Sequence, residues 1–588
     1  MKLLRCVLFA ILSLISLPSR AAESGPDADL EKVSEEYIKG WLSSHPIMAT
    51  SLGFHEYDGR INDFTRLAID AELSRLRRFD ERLKHFDPGK LSAQGAIDLR
   101  NLQAAIRRDL FEILDMGYFE KNPMTYAQAL DVNVYIKRNF SPLEDRLRSI
   151  IAIENQAPNM VIAAKTNLVP VLPRPYVELA IEIARGSADF LKKELVEAVK
   201  TVKDQRLLAG FQLANRKAVT ALTDYANWLE KEKLPKANDE WALGEDKYRR
   251  MLREGEMVEM APAQVLEIGL AELKREQEAF AEAGKILDPS KPAIEVFKAI
   301  QKEHPTPEGL LADTAKNLEA IRKFVIDREI VSIPSKARAE VKETPQFARA
   351  TSFASMDSPG PFEKKAAEAY YYVTPTENEW TDAQKEEWLT AFNYFTTDVV
   401  SIHEVYPGHY TQFLHLNASQ ASKAAKIFSS YAFVEGWAHY TEKMMLDEGF
   451  GAATGATPSE EEVQRAAKFR MAQSDEALLR LCRLIVSLKM HTQGMSVEEG
   501  ARFFQENCYY EAKPSHSEAM RGTYDPGYLS YTLGKLQILK LREDYKAQEG
   551  DKFSLKKFHD EMLKHGMPPI RLLREIMLKE KASWDAVL

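Results

Sequence analysis

The segment that most restricts the fold of this chain is EEVQRAAKFRMAQSDEALLRLCRLIVSLKM, at residues 461–490. Its apolar residues recur at three- and four-residue spacing, which is the period of an amphipathic α-helix. The same period marks residues 261–287, where Pro262 lies near the first turn, and a helical pair around residues 187–232. Because such segments fill most of the chain, we predict a mainly α fold built as a large multi-helix domain.

Signals for β-strands are few. The strongest is AAEAYYYVTP at residues 366–375, which follows the turn-rich segment SMDSPGPFE at residues 355–363. We therefore predict one small β-sheet near the active-site cleft. Its tyrosines, residues 370–372, are expected to lie on an edge strand that pairs with a peptide backbone.

The N-terminus has the pattern of a secretory signal peptide. Lys2 and Arg5 precede an apolar run that is too short to cross a bilayer, and small residues follow around Ala21. We predict a signal peptide over residues 1–21, with an uncleaved anchor as the alternative. Residues 22–588 then form a single large helical catalytic domain, or two lobes around a cleft, that works in the periplasm or after secretion and has no membrane span.

Net charge limits the class of partner. The chain carries a formal charge of −9 and no basic stripe, and removal of Lys2, Arg5 and Arg20 would make it −12. A net acidic protein of this kind is a poor nucleic-acid binder, so we expect no nucleic-acid partner. Cys482 and Cys508 remain after processing, and the sequence leaves open whether they pair.

The segment HEVYPGH, residues 403–409, resembles a zinc-hydrolase signature with an altered spacing. Two histidines four residues apart share a helix face and can hold one ion, whereas these are six apart. On an unbroken helix they would face about 120° apart and rise by about 9 Å, which excludes a shared ion. Pro407 and Gly408 break helical geometry at that place, so we predict a bend that returns His409 toward His403.

A catalytic zinc site needs a third protein ligand and a base. Glu435, in the downstream segment SYAFVEGWAHYTEKMML (residues 430–446), is our predicted third ligand, at the start of a second helix. Glu404, beside the first histidine, is the predicted base that takes the proton of the attacking water. His439 and Glu442 follow on the face of Glu435 and are expected to orient the ligands.

These motifs resemble those of domain of unknown function family 885, a set of predicted bacterial zinc peptidases. The resemblance rests on HEVYPGHYTQ and FVEGWAHYTE, and it extends to HPIMATSLGFHEYDGRINDFT near the N-terminus and LKHGMPPIRLL near the C-terminus. It implies a large helical zinc-peptidase-like fold with a gluzincin-like site. It also implies His403, His409 and Glu435 as ligands and Glu404 as base. His439 departs from the family pattern, in which an aliphatic residue is expected.

A hydrolytic site also needs a donor that stabilises the tetrahedral oxyanion. By analogy with related helical zinc peptidases, the segment PSHSEAMRGTYDPGYLSYTLGK at residues 514–535 supplies it. We rank Tyr531 first, followed by Tyr524, His516 and Arg521. Spacing alone does not decide among them.

The sequence therefore predicts an exported zinc metallopeptidase with one Zn²⁺ per chain and a peptide or amide substrate. One alternative is a zinc amidase or esterase that acts on a non-peptide bond. Another is a non-catalytic helical binding protein with a structural metal site. The physiological substrate, the position of the cleaved bond and the oligomeric state are left open.

Overall fold

A computed structural model describes residues 25–345, 349, 352–452 and 457–588. The predicted signal peptide at residues 1–21 lies outside these residues. Among the described helices, none combines the length and the apolar character that a membrane crossing requires.

The fold is mainly helical with a small sheet, as predicted. The helices that precede the sheet are α1 (Pro26–Ser44), α2 (Pro46–Leu52), α3 (Arg66–Lys84), α4 (Ala93–Leu114), α5 (Met124–Ala127), α6 (Asn133–Lys137), α7 (Leu143–Glu154), α8 (Ala157–Asn167), α9 (Arg174–Lys192), α10 (Glu194–Val199), α11 (Gln205–Trp228), α12 (Glu245–Glu256), α13 (Pro262–Leu287), α14 (Ala293–Ile300) and α15 (Leu310–Asp327).

The helices that follow the sheet include all those around the candidate site. They are α16 (Asp382–Ala391), α17 (Tyr394–Glu404), α18 (His409–Ala418), α19 (Lys423–Ile427), α20 (Tyr431–Asp447), α21 (Glu460–Gln493), α22 (Val497–Asn507), α23 (Ala512–Tyr524), α24 (Ser530–Glu549), α25 (Leu555–Leu563) and α26 (Ile570–Met577).

Helix α21 corresponds to the segment predicted at residues 461–490. A capping box fixes its start: the Ser459 hydroxyl accepts a hydrogen bond from the Glu462 N–H, and the Glu462 carboxylate accepts one from the Ser459 N–H. Gly494 ends it in the left-handed conformation, with φ of 74°. Its apolar face packs along α13, the helix predicted at residues 261–287, in the largest buried cluster. Cys482, on this helix, and Cys508 are both buried free thiols.

The sheet has three strands, β1 (Ala339–Glu343), β2 (Ala354–Asp357) and β3 (Ala369–Val373). The order is β1-β3-β2, with β1 parallel and β2 antiparallel to β3. The tyrosine-rich strand is therefore confirmed as a strand, but its prediction as an edge is wrong. Its backbone pairs on both sides because it lies in the centre, where Tyr371 and Val373 are buried. The free edge beside the candidate site belongs to β2.

The N-terminal helices hold β2 in place. Arg138, which directly follows α6, donates from Nη2 to Asp357 Oδ1 at the end of β2 (2.6 Å) and from Nη1 to the Glu368 carbonyl (2.9 Å). The loop after β2 packs on α2 so closely that a Cβ at Gly360 would lie 2.3 Å from the Ser51 carbonyl oxygen. The N-terminal segment thus supports the strand beside the site.

Helices α20 and α24 cross at two glycines. A Cβ on Gly436 would lie 2.4 Å from the Gly534 Cα, and a Cβ on Gly534 would lie 1.8 Å from the Ala432 carbonyl oxygen. The absence of side chains at both positions lets the two backbones touch. This crossing brings the residues around Gly534 against the helix that carries Glu435. Whether the chain forms one domain or two lobes stays a prediction.

Candidate metal centre

The helix that carries His403 stops directly after Glu404, and the next helix begins at His409. Four residues, Val405 to Gly408, join them, and the Tyr406–Pro407 peptide bond is cis. The Gly408 N–H donates to the Ile402 carbonyl (3.0 Å), which folds the chain back on itself. A Cβ at Gly408 would lie 1.7 Å from the His403 carbonyl oxygen, so this return fits glycine alone. The predicted helix break is confirmed.

Trp437 of the second motif holds this bend. Its indole Nε1–H lies 3.0 Å from the Pro407 carbonyl oxygen and 3.2 Å from that of Gly408. The indole is fully buried. The bend and helix α20 are therefore joined directly, which ties the position of His409 to that of Glu435.

Helix α20 begins at Tyr431, four residues before the start predicted at Glu435. Ser430 caps it, accepting a hydrogen bond from the Phe433 N–H (3.0 Å). The Glu256 carboxylate of α12 accepts hydrogen bonds from the Ser430 hydroxyl and the Ala432 N–H, which places a negative charge at the helix N-terminus. Glu435 lies in the second turn rather than the first.

The three predicted ligands converge. The Nε2 atoms of His403 and His409 lie 3.7 and 3.4 Å from Glu435 Oε2, and the ligand atoms of the three residues all lie within 4.8 Å of one another. Two ligands of a tetrahedral zinc ion, each at about 2.0–2.1 Å, lie about 3.4 Å apart. The observed separations match a shared ion better than direct hydrogen bonds, which are shorter.

The polar atoms of this cluster are also incompletely paired. Glu435 Oε2 and His409 Nδ1 are both buried without a hydrogen-bond partner among the described residues. Buried polar atoms in native proteins almost always have a partner. Two imidazoles and a carboxylate are a donor set typical of zinc in hydrolases, so the residues fit such an ion.

The electrostatics of the cluster favour a cation. Burial alone would lower the pKa of His403, but its contacts with Glu435 and Glu442 outweigh burial and raise the pKa to about 9. Burial alone would raise the pKa of Glu435, but the neighbouring His409 and His403 hold that pKa well below its usual range. The two carboxylates therefore stabilise positive charge on the histidines.

Glu404, the predicted base, ends helix α17 beside His403. Its Oε2 atom accepts a hydrogen bond from the backbone N–H of Met356 on strand β2 (3.0 Å). The strand therefore fixes one oxygen of the carboxylate. The small sheet thus lies next to the candidate site, as expected.

Behind His403 lies a second carboxylate. Glu442 Oε1 accepts from His403 Nδ1 at 2.7 Å, and Oε2 lies 2.9 Å from His439 Nδ1. All three side chains are almost completely buried, at 5% exposure or less. Glu442 thus contacts and orients a predicted ligand. The helical spacing places Glu442 on the face of Glu435, in agreement with this contact.

Tyr531, the first-ranked oxyanion donor, lies over the site. Its ring stacks on that of His403, with centroids 6.5 Å apart. The guanidinium carbons of Arg480 and Arg483 lie 5.6 and 5.2 Å from the ring centroid. Burial and the charge of Glu435 raise the pKa of Tyr531, so the hydroxyl keeps its proton and can donate it to a hydrogen bond.

The other three predicted donors lie further out. Arg521 donates from Nη2 to the Tyr431 hydroxyl (3.1 Å) and to Asp525, so its hydrogen bonds reach Tyr431 rather than the three predicted ligands. Tyr524 packs against Tyr176 in the wall of a neighbouring cavity of 360 Å³. His516 is exposed on α23, and among the described residues no hydrogen bond or ring contact joins it to the cluster.

Sequence reasoning missed several residues around the site. Tyr431 lies 6.0 Å from the Tyr531 ring, and Arg480 Nη2 lies 3.6 Å from Glu442 Oε1. The one available signal was that Tyr431 precedes Glu435 by one helical turn and shares its face. Met356 contributes through its backbone, which no side-chain pattern reveals.

Two solved structures are similar to this chain over almost its whole length. One is described as "a putative lipoprotein of unknown function" from Shewanella oneidensis, with 25% identity and a TM-score of 0.77, covering 94% of this chain and 100% of that one. The other is "the putative lipoprotein" from Colwellia psychrerythraea, with 17% identity and a TM-score of 0.76, covering 94% and 98%. The second likeness shows the fold alone.

Among curated proteins, no relative matches this chain. One family model does match, over residues 46–577, and its description is "Bacterial protein of unknown function (DUF885)". The resemblance carried by the HEVYPGHYTQ and FVEGWAHYTE motifs is thereby confirmed at the level of the family. Since the match covers most of the 588 residues, this chain belongs to the DUF885 family of bacterial proteins of unknown function.

Proposed function

We propose that this chain is an exported zinc-dependent metallohydrolase that cleaves peptide bonds. The observation that carries the proposal is the convergence of His403, His409 and Glu435 within 4.8 Å, with Glu404 beside them. Three protein ligands leave one position open, which is typical of catalytic rather than structural zinc.

A zinc ion held by these residues would polarise a substrate carbonyl and make water acidic. Glu404 takes a proton from the attacking water and delivers it to the leaving nitrogen. The Met356 N–H restrains the carboxylate of Glu404, because it donates a hydrogen bond to Oε2. Tyr531 donates a hydrogen bond to the oxyanion of the substrate.

The free edge of β2 favours a peptide over a small amide. Ser355 and Asp357 alternate with Ala354 and Met356 along the strand, and the Met356 N–H points away from β3 toward Glu404. In an antiparallel strand the carbonyl of a residue points the same way as its N–H. The Met356 N–H is taken by Glu404, so the outward groups that can pair with an extended peptide are the Met356 carbonyl and the backbone of Ala354, which lies on the same side of the strand.

Export is supported from two sides. The N-terminal residues have the pattern of a secretory signal, and both similar solved structures are described as lipoproteins, a class that is exported. A periplasmic or secreted peptidase follows from the combination.

The test is a comparison of the wild type with Glu404→Gln. Both proteins should contain one zinc per chain by elemental analysis, while kcat/KM on a diverse peptide library should fall by about 10²–10⁴-fold in the variant, the usual range for loss of a general base. Glu506→Gln, an exposed glutamate on α22, is the matched control and should keep full activity.

Three results would contradict the proposal in distinct ways. Equal activity of Glu404→Gln would remove that residue from the mechanism. Cleavage of N-acyl amides or esters but of no peptide would indicate an amidase or esterase. Bound zinc with no hydrolysis of any substrate would indicate a binding protein with a structural metal.

A further inference from the structure

A buried line of polar side chains leads away from His403 into the protein. It runs through Glu442 and His439 to Lys535, which are 0%, 0% and 7% exposed. Burial of such groups is unfavourable unless each one has a partner. The hydrogen bonds among these buried side chains therefore indicate their structural role.

The hydrogen bonds of Glu442 fix the protons of two histidines. Oε1 lies 2.7 Å from His403 Nδ1 and Oε2 lies 2.9 Å from His439 Nδ1. An ionised carboxylate can only accept, so both Nδ1 atoms must carry hydrogen. With Nδ1–H bonded to Glu442, the His403 ring directs Nε2 toward Glu435 and His409.

The far side of His439 is also occupied. Lys535 Nζ lies 3.5 Å from His439 Nε2, and an ammonium group can only donate. His439 therefore accepts at Nε2 and donates at Nδ1, which leaves it one tautomer and one orientation. Burial, followed by the charge of Lys535, lowers the pKa of His439 to about 3, which agrees with a neutral imidazole.

The crossing of α20 and α24 places these groups. His439 follows Gly436 by three residues and Lys535 follows Gly534 directly, so the backbone contact between the glycines brings Lys535 against His439. A competitor is also near, since Arg480 Nη2 lies 3.6 Å from Glu442 Oε1. Arg480 thus attracts one oxygen of Glu442, while His439 holds the other oxygen in place.

We propose that His439 is a positioning residue of the candidate metal centre. By donating to Glu442 Oε2, it keeps Oε1 on His403 Nδ1, so that His403 Nε2 faces the ion. This inference rests on the proposed zinc site and assigns to His439 a specific contact through which it acts on His403. Without the His439 donor at Oε2, the attraction of Arg480 for Glu442 is unopposed, and the carboxylate rotates away from His403 Nδ1.

The experiment measures zinc affinity by competition with a chromophoric chelator. His439→Leu removes the donor and should weaken zinc binding by about 10–100-fold, the range for loss of an outer-shell partner. His439→Asn keeps an N–H near the position of Nδ1 and should bind within about threefold of the wild type by the same reasoning. Lys535→Met leaves His439 in place but releases its tautomer, and should weaken binding severalfold.

The matched control is His491→Leu. His491 is 2% exposed and bonds through Nε2 to the Gly522 carbonyl (2.8 Å), so its loss removes a buried imidazole away from the cluster. This variant should have a lower Tm with unchanged zinc affinity. A second readout separates positioning from stability: in the zinc-loaded protein, the ¹H–¹⁵N signal of the His403 Nδ1–H should shift in His439→Leu and return in His439→Asn.

Folded His439→Leu that binds zinc as tightly as the wild type would overturn the inference and leave the zinc site standing. If His439→Leu does not fold, equal zinc affinities of Lys535→Met and the wild type would overturn it. A wild type that binds no zinc would overturn the metal centre itself, and this inference with it.

Discussion

Replacement of Gly408 by alanine tests the bend that brings the two histidines together. An added Cβ would lie 1.7 Å from the His403 carbonyl oxygen and 2.4 Å from that of Ile402. Both neighbours are backbone atoms of helix α17, so no side chain can rotate to relieve the contact. The chain between His403 and His409 must therefore move.

The size of the movement follows from the contact. Real Cβ atoms approach other heavy atoms no closer than 3.0 Å, so the backbone must shift by about 1.3 Å from the 1.7 Å contact. Metal–ligand distances tolerate only about ±0.2 Å, so His409 would no longer reach an ion held by His403 and Glu435 as proposed. Structural zinc sites bind their ion with about 10–16 kcal/mol through four ligands, or roughly 3 kcal/mol per ligand. Loss of one ligand should therefore weaken zinc affinity by at least about 100-fold.

Zinc affinity is measured by chelator competition, with far-UV circular dichroism to verify the fold. Gly186→Ala on α9 is the matched control, because nothing lies within 4 Å of a Cβ at that position. It should keep wild-type affinity and raise Tm slightly, since alanine favours helices over glycine. Gly408→Ala with an affinity within threefold of the wild type would refute the argument that this bend assembles the centre.

Two further predictions address the donor over the site and a buried acid. Tyr531→Phe should lower kcat by about 10²–10³-fold with KM nearly unchanged, as for loss of an oxyanion donor, whereas Tyr524→Phe should match the wild type in peptide-cleavage assays; equal losses would point to packing. Burial raises the pKa of Glu154 to about 8. The folded state then holds a proton that the unfolded chain releases, so the free energy of unfolding should fall between pH 4.5 and 8, by up to about 1.4 kcal/mol per unit. Glu154→Gln keeps an acceptor for Asn215 Nδ2 (2.8 Å) and removes this slope. Urea unfolding at pH 5 and pH 8 should show a gain for the variant that widens with pH, and a constant difference would count against it.

The helical architecture and the bend that brings His409 near His403 could be predicted because their signals are local. Ser459, the apolar period after it and Gly494 lie within one continuous segment, so the start and end of α21 are encoded beside the helix itself. The bend at Pro407 and Gly408 is equally local. If both histidines bind one ion, their six-residue separation requires this bend, because an unbroken helix would turn the two side chains apart.

The surroundings of the site depend on contacts between segments that are far apart in the sequence. The sequence alone does not indicate these contacts. The tyrosines of β3 suggested an edge strand, but strand order depends on where residues 339–343 and 354–357 pair. Tyr431 and Arg480 reach Tyr531 and Glu442 through the packing of α20, α21 and α24. Among four candidate donors in one segment, only the fold distinguishes Tyr531 from the exposed His516.

The glycine crossing of α20 and α24 has a consequence for biosynthesis. A nascent chain that has emerged only to residue 510 already contains His403, His409 and Glu435, but α24 has not yet been synthesised. Tyr531 and Lys535 arrive together, when Gly534 docks on Gly436. Tyr531 and Lys535 can therefore join the cluster of His403, His409 and Glu435 only after nearly the entire polypeptide has been made.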